Sequence, residues 1–322
     1  MITRRFFETA ELLIFDPVAP NRNATRASVL SLGFRKVEAA PTLEILIARL
    51  RSTPPDLLLA EVSGGEQGCC SVIQSVRRGE LGDNPFIVIL ATTWRRDGSI
   101  IKQAVNSGAD DLLARPISTS VLGERIRLLV ERRKGFVVTS DYIGPDRRRT
   151  PRPNDAPCME VPNPLKIRAM ETLSDDEIGR RIAESVTAGR EALNLEKLRR
   201  DAVQLCVQWR MLQQRSPDAL DFGEIVVRIG RLASEMKVRA ILAHQHGAPQ
   251  WCDRVEQSVA AVIGLTRSAR PNKTIDCRAP LDLLGQAALA LGQMFGAVEV
   301  QPARLVELDD LVSQRAARSV AA

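Results

Sequence analysis

Two patterns of apolar and polar residues divide the chain. In residues 1–135, short apolar runs alternate with stretches in which apolar residues recur every three or four positions. This alternation predicts a five-stranded, parallel, doubly wound α/β sheet. The predicted strands are Leu12–Phe15, Lys36–Ala39, Leu57–Val62, Phe86–Ala91 and Asp111–Ala114, and the predicted helices are Asn23–Leu32, Thr42–Arg51, Ser71–Arg78, Gly98–Ser107 and Ser120–Arg133.

The alternation stops in residues 136–165, which hold six of the 18 prolines. We predict a linker there, in which residues 136–138 and 142–144 could pack locally. Residues 166–322 are helical by pattern and predict a bundle, entered through a capping box at Ser174 and Glu177. Its predicted helices are 175–192, 195–214, 221–244, 250–268, 280–296 and 302–317.

Composition narrows the class of protein. With 44% hydrophobic and 26% charged residues, the chain is neither disordered nor fibrous. Six cysteines without a CxxC pair favour reduced thiols and a cytoplasmic location, and two histidines make most metal sites and catalytic triads poor candidates. No apolar run reaches the length of a membrane helix, so membrane insertion is not expected. We do not expect an enzyme.

The net charge of +6 is spread along the chain, with arginines in short clusters. A nucleic-acid-binding domain usually has one dense basic face. Nucleic acid is therefore not an expected partner.

Candidate site residues lie where the predicted strands end, because doubly wound sheets bind ligands at the carboxyl ends of their strands. These residues are Asp16, Glu61, Thr93 and Arg115, the last followed by Pro116. In order and spacing they resemble the bacterial response-regulator receiver (CheY-like) family. That family has an acidic pair after its first strand, a phosphoacceptor Asp ending the third, Thr or Ser after the fourth and Lys-Pro after the fifth. The resemblance covers residues 10–133 and implies a two-component signalling role.

Three departures from the family pattern bear on mechanism. Pro17 replaces the second acidic residue, Glu61 stands at the phosphoacceptor position, and Arg115 replaces the lysine and could pair bidentately with Glu61. Magnesium would keep only Asp16 and Glu61 as ligands, too few for a hard cation, so we expect no cofactor. Asp56 is not a substitute acceptor, because it lies at the other end of the strand and on its other face.

Three states of this domain stay open at this point. It could be an inert docking scaffold, it could be held active-like by the charge of Glu61, or it could retain some phosphotransfer. Two of these three need no phosphoryl group.

A second candidate site lies in the linker, where Tyr142 precedes Arg147, Arg148 and Arg149, with Arg152 further on. The segment resembles an arginine-rich tail of some receiver-like proteins, including ones that bind cyclic di-GMP. Guanidinium groups suit phosphodiester oxygens and stack on guanine. The alternative is a solvated linker whose arginines cap a helix or contact acidic surface.

The leading hypothesis is a cytoplasmic signalling protein with an atypical receiver. It would act through a protein partner, with the helical domain serving output or homodimer formation. The alternatives are a cyclic di-GMP sensor and a phosphorelay component that uses His244 or residual acceptor chemistry.

Overall fold

Five parallel strands form the sheet of the N-terminal part, in the order β2-β1-β3-β4-β5. The computed structural model describes residues 7–64, 68–148, 158–268 and 276–297. The strands are β1 (Glu11–Phe15), β2 (Lys36–Ala40), β3 (Leu57–Glu61), β4 (Val88–Thr93) and β5 (Asp111–Ala114), and the helices are α1 (Ala19–Ser31), α2 (Leu43–Ser52), α3 (Cys69–Arg78), α4 (Gly98–Asn106) and α5 (Thr119–Arg132). This is the strand order of one common doubly wound fold. The predicted α/β fold is confirmed.

The apolar runs of the sequence become the buried centre of the sheet. Every residue of β3 and β4 is buried, as expected for strands covered by helices on both faces. Side-chain caps set the starts of three helices: Thr42, Asp97 and Ser118 accept hydrogen bonds from backbone amides in the first turns of α2, α4 and α5. The starts of α4 and α5 place the loops that follow Thr93 and Arg115.

Residues 136–148 and 158–170 extend the sheet domain with three short strands and a helix, where a linker is predicted. Strands β6 (Phe136–Val138), β7 (Ile143–Pro145) and β8 (Cys158–Met159) make an antiparallel sheet in the order β7-β6-β8, and helix α6 (Pro164–Met170) follows. The strands have only two or three residues each, and such short runs leave little periodicity to detect.

An arginine clamp, made of Arg77, Arg133 and Asp110 around the ring of Phe136, joins this extension to the main sheet. Arg77 donates to Asp110 Oδ2 at 2.8 Å, and Arg133 donates to Oδ1 and Oδ2 at 2.8 and 3.1 Å. Both guanidinium groups lie over Phe136, 5.0 and 5.2 Å from the ring centre. Burial would raise the pKa of Asp110, but the charges of Arg133 and Arg77 outweigh it and hold that pKa below its usual value.

The remaining donors of the arginine clamp are satisfied by backbone carbonyls. Arg77 donates to the carbonyls of Gly108, Pro85 and Ile87, and Arg133 donates to those of Phe86, Ile87 and Pro162. Because the carbonyls of Phe86 and Ile87 are engaged by arginines, β4 starts at Val88, two residues later than predicted. The boundary predicted at 135/136 cuts through this clamp, whereas the chain divides into compact units between Arg190 and Glu191.

The second unit is helical. It contains the C-terminal part of α7 (Asp175–Gln213), together with α8 (Phe222–Leu242), α9 (Ala248–Arg267) and α10 (Arg278–Met294). Helix α7 is continuous where two helices, 175–192 and 195–214, were predicted; Asn194 lies inside it and accepts a hydrogen bond from Arg239 at 3.2 Å. The predicted helix 302–317 falls outside the described residues. No helix in the described part of the chain is long and apolar enough to cross a membrane.

A buried ion pair within this unit predicts a pH dependence. Asp201 is fully buried beside Lys197, one helical turn away, and burial raises the pKa of Asp201 to about 6 although Lys197 opposes the shift. The folded state therefore binds this proton more tightly than the unfolded state, whose Asp titrates near 3.8. The contribution of Asp201 to stability is lost as the pH rises from 3.8 through about 6.

Urea titrations of the full chain test this dependence. We expect the wild type to lose stability relative to Asp201→Asn between about pH 4 and about pH 6, because the amide does not titrate. Asp218→Asn, at an exposed position of the same unit, is the control. Equal pH profiles for wild type and Asp201→Asn would contradict the prediction.

Candidate functional site

The four predicted site residues meet at the carboxyl edge of the main sheet. Asp16 follows β1, Glu61 ends β3, Thr93 ends β4 and Arg115 follows β5. The strands β1, β3, β4 and β5 are successive neighbours, so their ends lie side by side. All four side chains are buried or nearly so. We refer to these residues as the acidic pocket.

Asp16 is the deepest residue of the acidic pocket, with no exposed surface. Its Oδ1 accepts a hydrogen bond from the amide of Val18 at 2.9 Å, which fixes the turn into α1. Its Oδ2 is buried and has no hydrogen-bond partner; the nearest cation is Arg115 Nη2 at 3.5 Å. The neighbouring Pro17 supplies no second carboxylate.

Both carboxylate oxygens of Glu61 are engaged by hydroxyl groups. Oε2 accepts from the hydroxyl of Thr92 at 3.0 Å. Oε1 accepts from the amide of Ser63 at 3.1 Å and, in a short contact, from the Ser63 hydroxyl. Because Glu61 is only 7% exposed, little of its carboxylate faces solvent.

Ser63 also connects the acidic pocket to the loop after β4. Its Oγ lies 2.9 Å from Thr93 Oγ1 and accepts a hydrogen bond from the amide of Trp94 at 3.2 Å. Thr93 Oγ1 in turn accepts from the amide of Arg95 at 3.1 Å. Sequence reasoning missed Ser63, whose signal is its place two residues after the acceptor position.

Arg115 is shared between the two carboxylates rather than paired bidentately with Glu61. Its Nε lies 3.5 Å from Glu61 Oε2 and its Nη2 lies 3.5 Å from Asp16 Oδ2. Nη2 donates to the hydroxyl of Thr25 at 2.9 Å, and the guanidinium lies 6.0 Å from the Trp94 ring centre. The expected bidentate pair is therefore absent from the acidic pocket, because Thr25 holds the end of the guanidinium.

The residues of the acidic pocket do not fit a magnesium ion. The cation prefers several oxygen ligands, carboxylates above all. Here both oxygens of Glu61 are engaged by hydroxyls, and a guanidinium already faces both Asp16 and Glu61. In the parts of the chain that the structure describes, no three or more His, Cys, Asp or Glu residues are grouped to hold a metal.

Asp56 lies away from the acidic pocket, just before β3. Its Oδ2 accepts from the amide of Glu11 at 2.9 Å and from Arg168 at 3.1 Å. Burial raises the pKa of Asp56, with Arg168 opposing the shift. These contacts tie helix α6 to the amino-terminal end of the sheet.

The arginine-rich segment, the second predicted site, holds the extension in place. The hydroxyl of Tyr142 donates to the carbonyl of Pro145 at 2.9 Å, and burial raises its pKa. Arg147 donates to the carbonyl of Ala109 in a short contact, and Arg148 pairs with Asp146 at 2.8 Å. Arg149 and Arg152 lie outside the described residues.

Solved structures of receiver domains are similar to the sheet domain. The receiver domain of a response regulator from Bermanella marisrubri is 26% identical, with a TM-score of 0.34, over 38% of this chain and 98% of its own. The receiver domain of a putative NarL from Mycobacterium tuberculosis is 24% identical, with a TM-score of 0.32, over 39% and 99%. Vibrio cholerae chemotaxis protein CheY4 is 19% identical, with a TM-score of 0.33, over 37% and 96%.

These matches cover the sheet domain alone. The matched part of the chain is the N-terminal part, where the motifs predict a resemblance to receiver domains. No family model matches the sequence, and no curated protein is a significant match.

Proposed function

We propose that the chain is a response-regulator-like signalling protein whose receiver domain works without phosphorylation. One observation carries the proposal: the residue at the acceptor position, Glu61, has both carboxylate oxygens engaged by Ser63 and Thr92. A carboxylate that attacks a phosphoryl donor must bring an oxygen into line with the phosphorus, and the hydrogen bonds of Glu61 hold its two oxygens towards Ser63 and Thr92 instead. In this domain, the residue at the acceptor position has a structural role.

The surroundings of Glu61 support the same proposal. Charge on a transferring phosphoryl group is usually offset by magnesium, and we propose that this domain binds no magnesium. The negative charge of Glu61 is instead balanced within the pocket by Arg115. His244 does not favour phosphorelay chemistry either, since it lies two residues beyond the end of α8 and has a positive φ of 53°.

A receiver without a phosphoryl switch would signal by contact with a protein partner. The half-exposed ring of Trp94, with 49% of its surface open, lies beside the exposed Arg95 and Arg96 at the mouth of the acidic pocket. Trp and Arg are the residue types most enriched at the energetic centres of protein interfaces. We propose no catalytic activity and a cytoplasmic location; all six cysteines are free.

The cyclic di-GMP alternative has less support. A ligand at the arginine-rich segment would have to displace the contacts of Tyr142 with Pro145 and of Arg147 with Ala109. The first contact lies within the extension, and the second attaches the extension to the sheet domain. We therefore propose a structural role for Tyr142 and Arg147.

Acetyl phosphate tests the proposed function. Incubated with acetyl phosphate and magnesium, the full chain should show no added phosphoryl group by intact-mass spectrometry, because the carboxylate of Glu61 is held by Ser63 and Thr92. A receiver domain with an intact acceptor Asp serves as the positive control for the reagent.

Two results would contradict the proposal in different ways. A label that disappears in Glu61→Gln would show that Glu61 is a true acceptor. A label that persists in Glu61→Gln would show that the acceptor lies elsewhere in the chain.

A further inference from the structure

The hydroxyl groups around Glu61 form a chain with one direction. A carboxylate only accepts hydrogen bonds, so the single hydroxyl proton of Ser63 points to Glu61 Oε1. The Ser63 oxygen then accepts from the amide of Trp94 at 3.2 Å. It also lies 2.9 Å from Thr93 Oγ1, which accepts from the amide of Arg95 and donates to the Arg95 carbonyl. The Ser63 hydroxyl thus links the Trp94 amide to the buried charge of Glu61.

This chain joins two loops that have no other hydrogen bond between their described residues. Ser63 belongs to the loop after β3, whereas Trp94 and Arg95 belong to the loop between β4 and α4. Strands β3 and β4 pair only up to Glu61 and Thr92, with one more backbone bond from the amide of Val62 to the Thr92 carbonyl. Beyond that point, the Ser63 hydroxyl makes the connection.

We propose that Ser63 is a conformational latch that fixes the β4–α4 loop, Trp94 included, in one arrangement with no phosphoryl group present. The inference rests on the proposed function, in which the acidic pocket is satisfied by its own side chains. The carboxylate of Glu61 anchors the latch, since charge-assisted hydrogen bonds are the stronger ones. Trp94 is the surface group that the latch positions for a partner.

Hydrogen exchange of the full chain distinguishes a latch from a single lost hydrogen bond. In Ser63→Ala, the Trp94 amide loses its acceptor and would exchange faster in either case. The amide of Arg95 donates to Thr93 and not to Ser63, so it reports release of the whole loop. We expect Arg95 exchange to accelerate about tenfold in Ser63→Ala.

Matched variants serve as controls for the exchange measurement. Ser63→Thr keeps the hydroxyl and should retain wild-type exchange. Ser71→Ala removes a hydroxyl that donates only to the nearby Gly68 carbonyl at 2.8 Å, and should leave the loop unchanged. In a double-mutant cycle, the changes in the free energy of unfolding caused by Ser63→Ala and by Thr93→Val should be non-additive, as expected of two members of one hydrogen-bond network.

Unchanged Arg95 exchange in a folded Ser63→Ala variant would overturn the latch. That outcome is separate from failure of the proposed function, which is read by phosphoryl incorporation into the wild type. If the wild type is phosphorylated but Ser63→Ala still accelerates exchange of the Arg95 amide, the proposed function is wrong and the latch remains as a local contact.

Discussion

Asp110→Ala should destabilise the sheet domain by about 3–5 kcal/mol, because it leaves two buried guanidinium groups without their counter-ion. Arg77 and Arg133 have side chains that are 1% and 3% exposed. Burial lowers the pKa of Arg77 to about 10, so it remains charged at neutral pH. The amide of Ile89 also loses its acceptor, Asp110 Oδ2 at 2.8 Å.

Urea denaturation of the full chain, monitored by pulsed hydrogen exchange in peptides from β3 and β4, measures the loss of stability in the sheet domain alone. We expect the midpoint to fall by about 2 M. The neighbouring Asp111→Ala is a matched control, since Asp111 pairs with Arg125 at 3.4 Å in a solvent-accessible position and such pairs contribute less than about 1 kcal/mol. Equal midpoints for the two variants would show that the arginine clamp contributes no stability.

A chain ending at residue 135 should fail to fold, whereas a chain ending at residue 190 should fold. The shorter chain loses the ring of Phe136 and the Pro162 carbonyl, both of which contact Arg133. It also loses Leu165 and Ala169 of α6, which are buried against the sheet domain. Ending the chain at residue 135 would therefore expose apolar surface and also partly expose the charged groups of the arginine clamp.

Thermal unfolding of the two chains, monitored by circular dichroism, tests this prediction. The longer chain should show a cooperative transition and the shorter chain none. Phe136→Ala in the full-length protein tests the same contact on a smaller scale, with a loss of about 3–5 kcal/mol for a fully buried ring. A cooperative transition in the 1–135 chain would show that the extension is dispensable for folding.

The main sheet could be predicted because its physics is local. Continuous apolar runs such as Leu57–Leu59 are typical of buried strands, and the helical stretches between them show their own periodicity. The meeting of Asp16, Glu61, Thr93 and Arg115 followed from topology alone, because parallel strands end at one edge.

The arginine clamp could not be predicted, since it depends on contacts between distant positions. Arg77 and Asp110 are 33 residues apart and reach each other only in the folded domain. The same holds for Ser63 and Thr93, 30 residues apart. In the sequence, Arg147 and Arg148 resemble a solvated cluster. In the folded domain, a hydrogen bond to the carbonyl of Ala109 positions Arg147.

The Glu61 arrangement also bears on the mutational paths open to this domain. Substituting Glu61→Asp withdraws the carboxylate by one methylene from the hydroxyls of Ser63 and Thr92, while position 17 still offers no second acid. On the proposed function, that single step loses the latch before any phosphoryl chemistry can return, and a second step, Pro17→Asp, brings like charge beside the buried Asp16. We expect each intermediate to be less stable than its parent, so that selection on folding alone would disfavour both steps.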